Sequence, residues 1–241
     1  MRVTLISATP NAAELLIYTK STRLEMSPAL LSEIQGWPAE RKAAELAYMA
    51  NTIPSSWEFV DYVFSIEGVS RAYTHQQVRT RAASYAQQTL RVLDVSKGFD
   101  YVYTKRNQED LAAMRVIDQA LWSIKSAYKA LIAMGHAPED ARGILPTNIA
   151  TNITCKFNLR TLSELARSRT GGRTQGEYID VINGCINEVL AIHPWAEAFL
   201  FAKPRDHFAD IEAFAEAEFG GDLLRKGKLL KIVDAMRKAP K

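Results

Sequence analysis

The sequence lacks the residue patterns on which several common classes of site are built. Only two cysteines occur, Cys155 and Cys185, and they have neither the close pairing of a zinc site nor the density of a disulfide scaffold. The four histidines never fall at metal-ligand spacing with acids or cysteines, so the sequence predicts no metal site. The sequence has two pairs of adjacent glycines, Gly171–Gly172 and Gly220–Gly221. Neither pair has the spacing of a dinucleotide fingerprint or a phosphate loop, which disfavours a Rossmann cofactor site.

Membrane segments and strong net charge are also missing. No apolar run approaches the roughly 20 residues needed to span a bilayer, and the opening residues MRVTLIS alternate like a β-strand, unlike a signal peptide. The net charge of +3 is small and dispersed, which makes a nucleic-acid partner unlikely and favours a small one. With 47% hydrophobic and 24% charged residues, we expect a globular cytoplasmic protein without membrane contact.

Hydrophobic periodicity predicts strands and helices in alternation. The predicted strands cover residues 3–7, 57–66 and 84–92, and the predicted helices cover 12–18, 38–50, 69–81, 107–134, a short segment from 138, 158–168 and 174–192. The helix at 107–134 carries the longest apolar repeat, which predicts a core helix. No repeat or linker is visible, so we expect a single domain over residues 1–241 with a helical C-terminal extension over about 205–241.

The basic sequence LLRKGKLLKIVDAMRK near the C-terminus has two interpretations. It could be an arm that binds a membrane or a nucleic acid, but a solvated amphipathic terminal helix is the favoured interpretation.

The run THQQVRTRAASYAQQTLRV, residues 74–92, contains arginines and amides and no acid. Such a donor-rich set suits the binding of phosphate and of a flat polar ring. Helical spacing of Arg71, His75 and Arg79 predicts one common face, and period-two alternation predicts another for Gln87, Thr89 and Arg91. A bound nucleotide is the expected ligand.

A second polar cluster, residues 145–169, places Asn148, Asn152, Asn158, Arg160, Arg167 and Arg169 on an apolar framework. Arg160 is predicted near a helix N-terminus, where backbone N–H groups favour an anion. An ordinary surface helix explains the composition equally well. No serine or cysteine has the local context of an activated nucleophile, so positioning by arginines and amides around a reactive cofactor is the expected mode of catalysis.

At these residues the chain resembles the flavin-dependent thymidylate synthases. Their signature is an arginine–histidine–arginine triplet followed by a serine and a nearby arginine; the corresponding residues here are Arg79, Thr80, Arg81, Thr89 and Arg91. Further matches, in the same order, are SIEGVSRAYTHQ, GHAPEDARGILP, NLRTL and the region around Glu177. The resemblance covers roughly residues 1–200.

The resemblance implies an α/β (α+β) domain with a central, mostly antiparallel sheet flanked by long helices, assembled as a homotetramer with sites shared between subunits. It implies a methyltransferase that moves a one-carbon unit from methylenetetrahydrofolate to C5 of a uracil nucleotide, dUMP or UMP, through FAD reduced by NADPH. No protein cysteine attacks the pyrimidine in such enzymes.

The resemblance also implies site residues, at the positions of this chain that match the family pattern. The cofactor would contact Ser55, Glu58, Arg79, Thr80, Arg81, Gln87 and Arg169, the last from a neighbouring subunit. The nucleotide would contact Gln76, Gln87, Gln88, Thr89, Arg91, Asn152 and Arg160.

Several positions depart from the family pattern. Thr80 replaces the central histidine, Thr89 replaces the serine, and Ile53 and Pro54 stand where a histidine usually precedes Ser55. Two nucleotide-binding arginines correspond to Asn152 and Ile179. The arginine at the second position polarises the pyrimidine toward its N3-ionised form, so Arg173 becomes the candidate catalytic cation in its place.

These departures leave alternatives to thymidylate synthase-like methylation. One is methylation or hydroxymethylation at C5 of another pyrimidine nucleotide such as dCMP. The other is a nucleotide-binding relative without catalytic activity.

Overall fold

The structure, a computed structural model, describes residues 1–52, 54–171, 174–201 and 207–238. The chain divides into two compact units, Met1–Ala202 and Lys203–Lys241. The boundaries predicted for a single domain with a C-terminal extension stay a prediction.

A four-stranded antiparallel sheet forms the centre of the first unit. Its strands are β1 (Arg2–Ala8), β2 (Asp61–Ser70), β3 (Ala83–Gln87) and β4 (Ala150–Asn158). They lie in the order β1-β2-β4-β3, with every neighbouring pair antiparallel. The predicted class, a mostly antiparallel sheet with flanking helices, is therefore confirmed.

The first unit contains ten α-helices within the described ranges. They are α1 (Ala12–Leu24), α2 (Leu31–Gln35), α3 (Ala39–Ala50), α4 (Arg71–Gln77), α5 (Lys105–Gln108), α6 (Leu111–Ala133), α7 (Pro138–Ala141), α8 (Leu159–Arg169), α9 (Gly176–Ile192) and α10 (Glu197–Leu200). Short 3-10 segments occur at Pro54–Phe59, Arg142–Ile144 and Pro194–Ala196.

Helix α9 packs closely on the edge strand β1. A Cβ atom added to Gly184 would lie 2.9 Å from Val3 Cγ2, so this position of α9 has room only for glycine. At a bulge between Leu5 and Ser7, the Leu5 N–H donates to Glu188 Oε2 at 2.8 Å. The contact satisfies a backbone donor that the edge strand would otherwise leave unpaired.

The core lies between the sheet and helices α1, α3, α8 and α9. Its largest fully buried side chains include Tyr62, Phe64, Tyr73, Phe157 and Tyr178. Alternate residues of β2 and β4 point into it, as the alternation of buried and less buried positions along both strands shows.

The predicted core helix at 107–134 is wrong in its burial and in its start. Asp110 caps a new helix through hydrogen bonds from the backbone of Ala112 and Ala113, so α5 and α6 are separate. Within α6 only Leu121 and Tyr128 are buried, although its apolar repeat is real. The apolar repeat therefore forms a surface of α6 that the rest of the chain largely leaves exposed.

Three further boundaries differ from the sequence prediction. The strand predicted from Trp57 starts at Asp61, because a 3-10 segment precedes it. The helix predicted at 69–81 covers only Arg71–Gln77, since residues 69 and 70 still belong to β2. Arg79 consequently lies beyond the helix and does not continue the face of Arg71 and His75.

The predicted strand at 84–92 is also shorter than expected. Strand β3 ends at Gln87, and Thr89 Oγ1 accepts the Arg91 N–H at 3.1 Å as the chain turns. Gln87, Thr89 and Arg91 therefore do not share a strand face. Strand β4 was missed by the sequence prediction, although Thr151, Ile153, Cys155 and Phe157 alternate with less buried residues as a half-buried strand requires.

The second unit contains two helices, α11 (His207–Phe219) and α12 (Leu223–Lys238). Lys226 pairs with Glu216, and Arg237 pairs with Glu212 at 3.3 Å, so charges join the two helices. The predicted terminal helix is present as α12, but its apolar residues do not form one buried face: only Val233 is buried, while Leu223, Leu224 and Met236 are exposed. No helix in the described parts of the chain is both long enough and apolar enough to cross a membrane.

Candidate active site

Helix α4 begins at the end of strand β2 and is fixed there by an acid from α9. The Ser70 side chain caps α4 by accepting the Tyr73 N–H at 3.0 Å. Glu177 in turn accepts the Ser70 N–H at 2.7 Å and its hydroxyl at 2.5 Å. These hydrogen bonds connect the start of α4 to the first turn of α9. They thereby also fix the beginning of the acid-free run at residues 74–92.

The arginine triplet lies in the irregular segment between α4 and β3. Arg79 and Arg81 are exposed, and no carboxylate of the described residues is paired with either. The Thr80 carbonyl accepts the Tyr85 hydroxyl at 2.9 Å, and the Ala82 carbonyl accepts the Thr161 hydroxyl at 3.0 Å. The backbone is held in place while the two guanidinium groups stay available for an anion.

The 3-10 segment Pro54–Phe59 and the start of α8 bring further predicted residues together. Arg160 Nη1 lies 2.7 Å from Glu58 Oε1, and Arg160 Nε lies 3.2 Å from Glu164. These acids raise the pKa of Arg160. Ser55 is exposed in the same segment as Glu58. Arg160, expected at the nucleotide, therefore contacts a residue expected at the cofactor.

Arg169, at the end of α8, lies over an aromatic ring of α9. Its Cζ atom is 5.3 Å from the centroid of the Tyr178 ring. Tyr178 is fully buried, and burial raises the pKa of its hydroxyl, an effect that Thr80 and Arg169 oppose. Ile179 is the next residue of α9, while Arg173 lies outside the described residues.

Amides expected at the nucleotide are bonded within the protein. Gln76 Nε2 donates to Gln175 Oε1 at 2.5 Å, and Gln87 Nε2 donates to the buried Thr74 hydroxyl at 2.9 Å. Asn152 Oδ1 accepts the Gly68 N–H at 3.0 Å. These contacts stabilise the β2–α4 junction and β3, and they do not converge on one pocket of the single chain.

Gln88, Thr89 and Arg91 lie on the exposed turn after β3. The Gln88 carbonyl accepts a hydrogen bond from Arg71 Nη1 at 3.3 Å. Arg91 Nε donates to Glu139 Oε2 at 2.8 Å, which ties this turn to α7. The turn therefore borders the cavity described next.

A cationic cavity of about 300 Å³ lies beside this turn. It is lined by Arg71, His75, Leu90, Arg142, Gly143, Leu145, Pro146, Thr147 and Ile149. Burial lowers the pKa of Arg71, and the positive charge of Arg142 lowers it further. No lining residue is an acid, so the two cations face a space suited to an anion.

The sequence predicts Arg71 and His75 on one helix face but does not indicate that Arg142 faces them. The only available signal was an arginine after the short α7, which carries no ligand signature by itself.

A larger cleft of about 420 Å³ opens near the start of α9. Tyr103, Lys105, Asn148, Gln175, Glu177 and Asp180 are among its lining residues. Lys105 Nζ lies 2.9 Å from Asp180 Oδ2. This cleft has mixed charge, whereas the smaller cavity is purely cationic. No cluster of three His, Cys, Asp or Glu side chains suited to a metal occurs among the residues described.

Comparison with known proteins decides the family. The profile of the thymidylate synthase complementing protein family matches residues 4–195. This chain is a flavin-dependent thymidylate synthase family member. The resemblance predicted from the arginine triplet and its flanking segments is confirmed.

Two similar relatives are both named flavin-dependent thymidylate synthases. The protein of Nitratidesulfovibrio vulgaris is 36% identical over 208 residues, covering 78% of this chain and 83% of the relative. The protein of Clostridium tetani is 29% identical over 212 residues, covering 80% and 84%. The match thus extends over most of both chains.

A solved structure has the same fold as this family member. The crystal structure of PolB, a UMP/dUMP methylase from Streptomyces cacaoi bound with 5-Br dUMP, superposes with a TM-score of 0.69 at 17% identity. The superposition covers 82% of this chain and 93% of that one. Membership of the flavin-dependent thymidylate synthases implies an enzyme with a flavin cofactor and a pyrimidine nucleotide substrate.

Proposed function

We propose that this protein transfers a one-carbon unit from methylenetetrahydrofolate to C5 of a uracil nucleotide, dUMP or UMP. FAD is the proposed cofactor, and NADPH is the proposed source of reducing equivalents. Family membership supports the reaction class. The observation that carries the nucleotide assignment is the acid-free cavity between Arg71 and Arg142.

The cationic cavity suits the phosphate of the nucleotide. Two guanidinium groups that face each other without a carboxylate repel, and a phosphate between them would replace that repulsion by charge-assisted hydrogen bonds. His75 and the Thr147 backbone lie in the same lining. The neighbouring turn carries Thr89 and Arg91, which the family pattern assigns to the nucleotide.

The residues expected at the flavin fit an anionic cofactor. Arg79 and Arg81 are exposed on a fixed backbone and have no carboxylate partner among the described residues, so they can bind a pyrophosphate. A bound flavin supplies the redox and carbon-transfer chemistry, while the protein binds, orients and excludes water. The role of Ser55, Glu58, Thr80 and Gln87 in holding it is part of the proposal.

The buried cysteines agree with a reaction that needs no thiolate. Cys185 is completely buried, and Cys155 is buried in β4. Burial raises the pKa of Cys155 to about 12 and that of Cys185 well above its ordinary value. A thiol that stays protonated is a poor nucleophile, so cofactor chemistry is favoured over attack by cysteine.

We assign to Arg169 the cationic role that Ile179 cannot fill. A guanidinium beside the pyrimidine would stabilise negative charge as N3 loses its proton. Arg169 lies over Tyr178, the residue next to Ile179. Arg173 is the other candidate, as predicted from the sequence. A role for Arg169 at the cofactor stays a prediction as well.

A homotetramer with shared sites is the proposed assembly. The α6 surface exposes large apolar side chains: Leu111 is 72% exposed, Val116 70%, Trp122 72% and Met134 75%. Apolar surface on this scale marks an interaction site. Contributions from a second subunit would also explain why the predicted residues do not converge within one chain.

A nucleotide panel tests the proposal directly. Purified protein should show flavin absorbance that bleaches with NADPH in the absence of oxygen. With methylenetetrahydrofolate it should then convert dUMP or UMP into a product heavier by one methyl group. A hydroxymethyl product, or activity confined to dCMP, would show that the protein catalyses a different reaction from the one proposed. A colourless protein that retains nucleotide without turnover would contradict it.

A further inference from the structure

We infer that Tyr178 is a positioning residue that holds the Arg169 guanidinium against its buried ring. This inference rests on the proposed function, in which Arg169 acts on the bound nucleotide. Tyr178 would thereby join the end of α8 to the start of α9.

The ring of Tyr178 is rigidly placed. It is fully buried, and it packs against the Tyr73 ring with centroids 5.2 Å apart. The Tyr73 hydroxyl donates to Gln77 Oε1 at 3.2 Å, and Gln77 Nε2 donates to the Tyr85 hydroxyl at 3.1 Å. The surface on which Arg169 lies is therefore part of a packed and hydrogen-bonded core.

Stacking suits an arginine that must bind a ligand. A carboxylate partner would occupy the N–H groups of the guanidinium, whereas an aromatic ring contacts its face and keeps the N–H edge for a ligand. Arg169 also lies in the last turn of α8, where the helix dipole favours a cation. Both interactions favour the position of the guanidinium at the end of α8.

Two buried polar atoms show that the arrangement is specific. The Tyr178 hydroxyl and Arg169 Nε are both buried and have no hydrogen-bond partner within the described residues. Buried polar atoms without partners are rare in native proteins and point to a functional constraint.

A double-mutant cycle on full-length protein tests this coupling. Tyr178→Leu removes the ring, Tyr178→Phe keeps it, and Arg169→Gln removes the cation. We expect Tyr178→Leu to weaken dUMP or UMP binding by roughly 2- to 30-fold, the range of a cation–π contact. Tyr178→Phe should retain most of the affinity, and Tyr178→Leu should have little further effect in the Arg169→Gln background.

Equal nucleotide affinity of Tyr178→Leu and wild type, or fully additive effects of the two changes, would overturn the inference. If Tyr178→Leu fails to fold, Tyr178→Met, which fills more of the same space, takes its place in the cycle with Arg169→Gln. The effects of these two changes on nucleotide affinity should again be non-additive, and additivity would overturn the inference.

Thermal unfolding of the same variants separates the two proposals. Non-additive unfolding changes for Tyr178→Leu and Arg169→Gln report the stacked pair whether or not a nucleotide binds. If wild type binds no uracil nucleotide, the proposed function fails, while absence of this unfolding coupling refutes the stacked pair itself.

Discussion

Glu177 binds Ser70 with both of its carboxylate oxygens, one at the backbone N–H and one at the hydroxyl. Ser70 is fully buried, so its N–H and hydroxyl depend on this carboxylate for their hydrogen bonds. The same carboxylate thus fixes the position at which strand β2 becomes helix α4.

Replacing Glu177 by alanine should therefore destabilise the protein. Leaving a buried N–H and a hydroxyl unpaired costs about 1–3 kcal/mol in the free energy of unfolding. Urea unfolding of Glu177→Ala measures this loss. Glu40→Ala is the matched control, because Glu40 is exposed in the first turn of α3 and its loss should change stability by at most about 0.5 kcal/mol. Equal stability of both variants would show that the contact to Ser70 contributes nothing.

Removing a cation from the cationic cavity between Arg71 and Arg142 should weaken nucleotide binding if the proposed phosphate site is correct. Arg71→Gln and Arg142→Gln should each raise the KM for the nucleotide about 10- to 100-fold, the loss expected for a charged hydrogen bond. Steady-state kinetics with varied nucleotide measure the change. Arg23→Gln, at an exposed position of α1, should leave KM unchanged. If both cavity variants keep the wild-type KM, the phosphate of the nucleotide binds outside this cavity.

The thiols should be dispensable for turnover. Cys155→Ala and Cys185→Ala should lose stability but keep activity per folded molecule, because neither thiol ionises near neutral pH. Iodoacetamide at about pH 8 should leave the native protein unlabelled and active. Urea-unfolded protein provides the labelling control. Rapid inactivation by alkylation of Cys155 would require a thiolate in the mechanism.

A charge on the α6 surface should dissociate the proposed tetramer. Trp122→Glu places a carboxylate at a side chain that is 72% exposed in the single chain, and a charge in an apolar interface is strongly unfavourable. Light scattering after gel filtration should show smaller particles. Met26→Glu, which changes a fully exposed apolar residue outside α6, should leave the assembly intact. If both variants match wild type, α6 does not form the interface.

His193 should make stability fall in mild acid. Its Nδ1 lies 3.1 Å from the Tyr62 hydroxyl, and its ring packs against Trp195 at 5.2 Å. Burial lowers the His193 pKa, while Glu14 opposes this. Because the folded-state pKa is below the unfolded value of about 6.5, the histidine's contribution is complete above that pH and is lost as pH falls through the folded-state value.

The measurement is urea unfolding between pH 8 and pH 5. His193→Gln, which can still accept a hydrogen bond from Tyr62, should show a smaller loss of stability across this range. An identical pH dependence in both proteins would assign the loss to other groups.

Local patterns predicted much of the fold. The alternation in β1, the proline-started α3 and the apolar spacing of α9 are short-range signals, and each element was found where it was expected. The burial of α6 could not be predicted, because its apolar repeat is the same whether the helix packs inside the chain or against another chain. Strand β4 was overlooked because its asparagines suggested a binding cluster.

The candidate site was predicted less completely than the fold. The triplet around Thr80 is contiguous, so a sequence pattern could identify it. The Arg71–Arg142 cavity joins residues far apart in the chain, and only the return of β4 beside β2 brings them together. No local signal encodes such a meeting. The contact of Arg169 with the Tyr178 ring has no local signal either, because it depends on how α8 packs against α9.

Strand β1 lies between β2 and α9, so the first unit cannot complete its structure before α9 has formed. Val3 fits against Gly184, and the Leu5 N–H is satisfied by Glu188. During synthesis, the strand made first must therefore wait for a helix made much later before its edge is protected. Contacts of such long sequence separation form slowly. The edge of β1 consequently stays open to other chains until α9 has been synthesised and has packed against it.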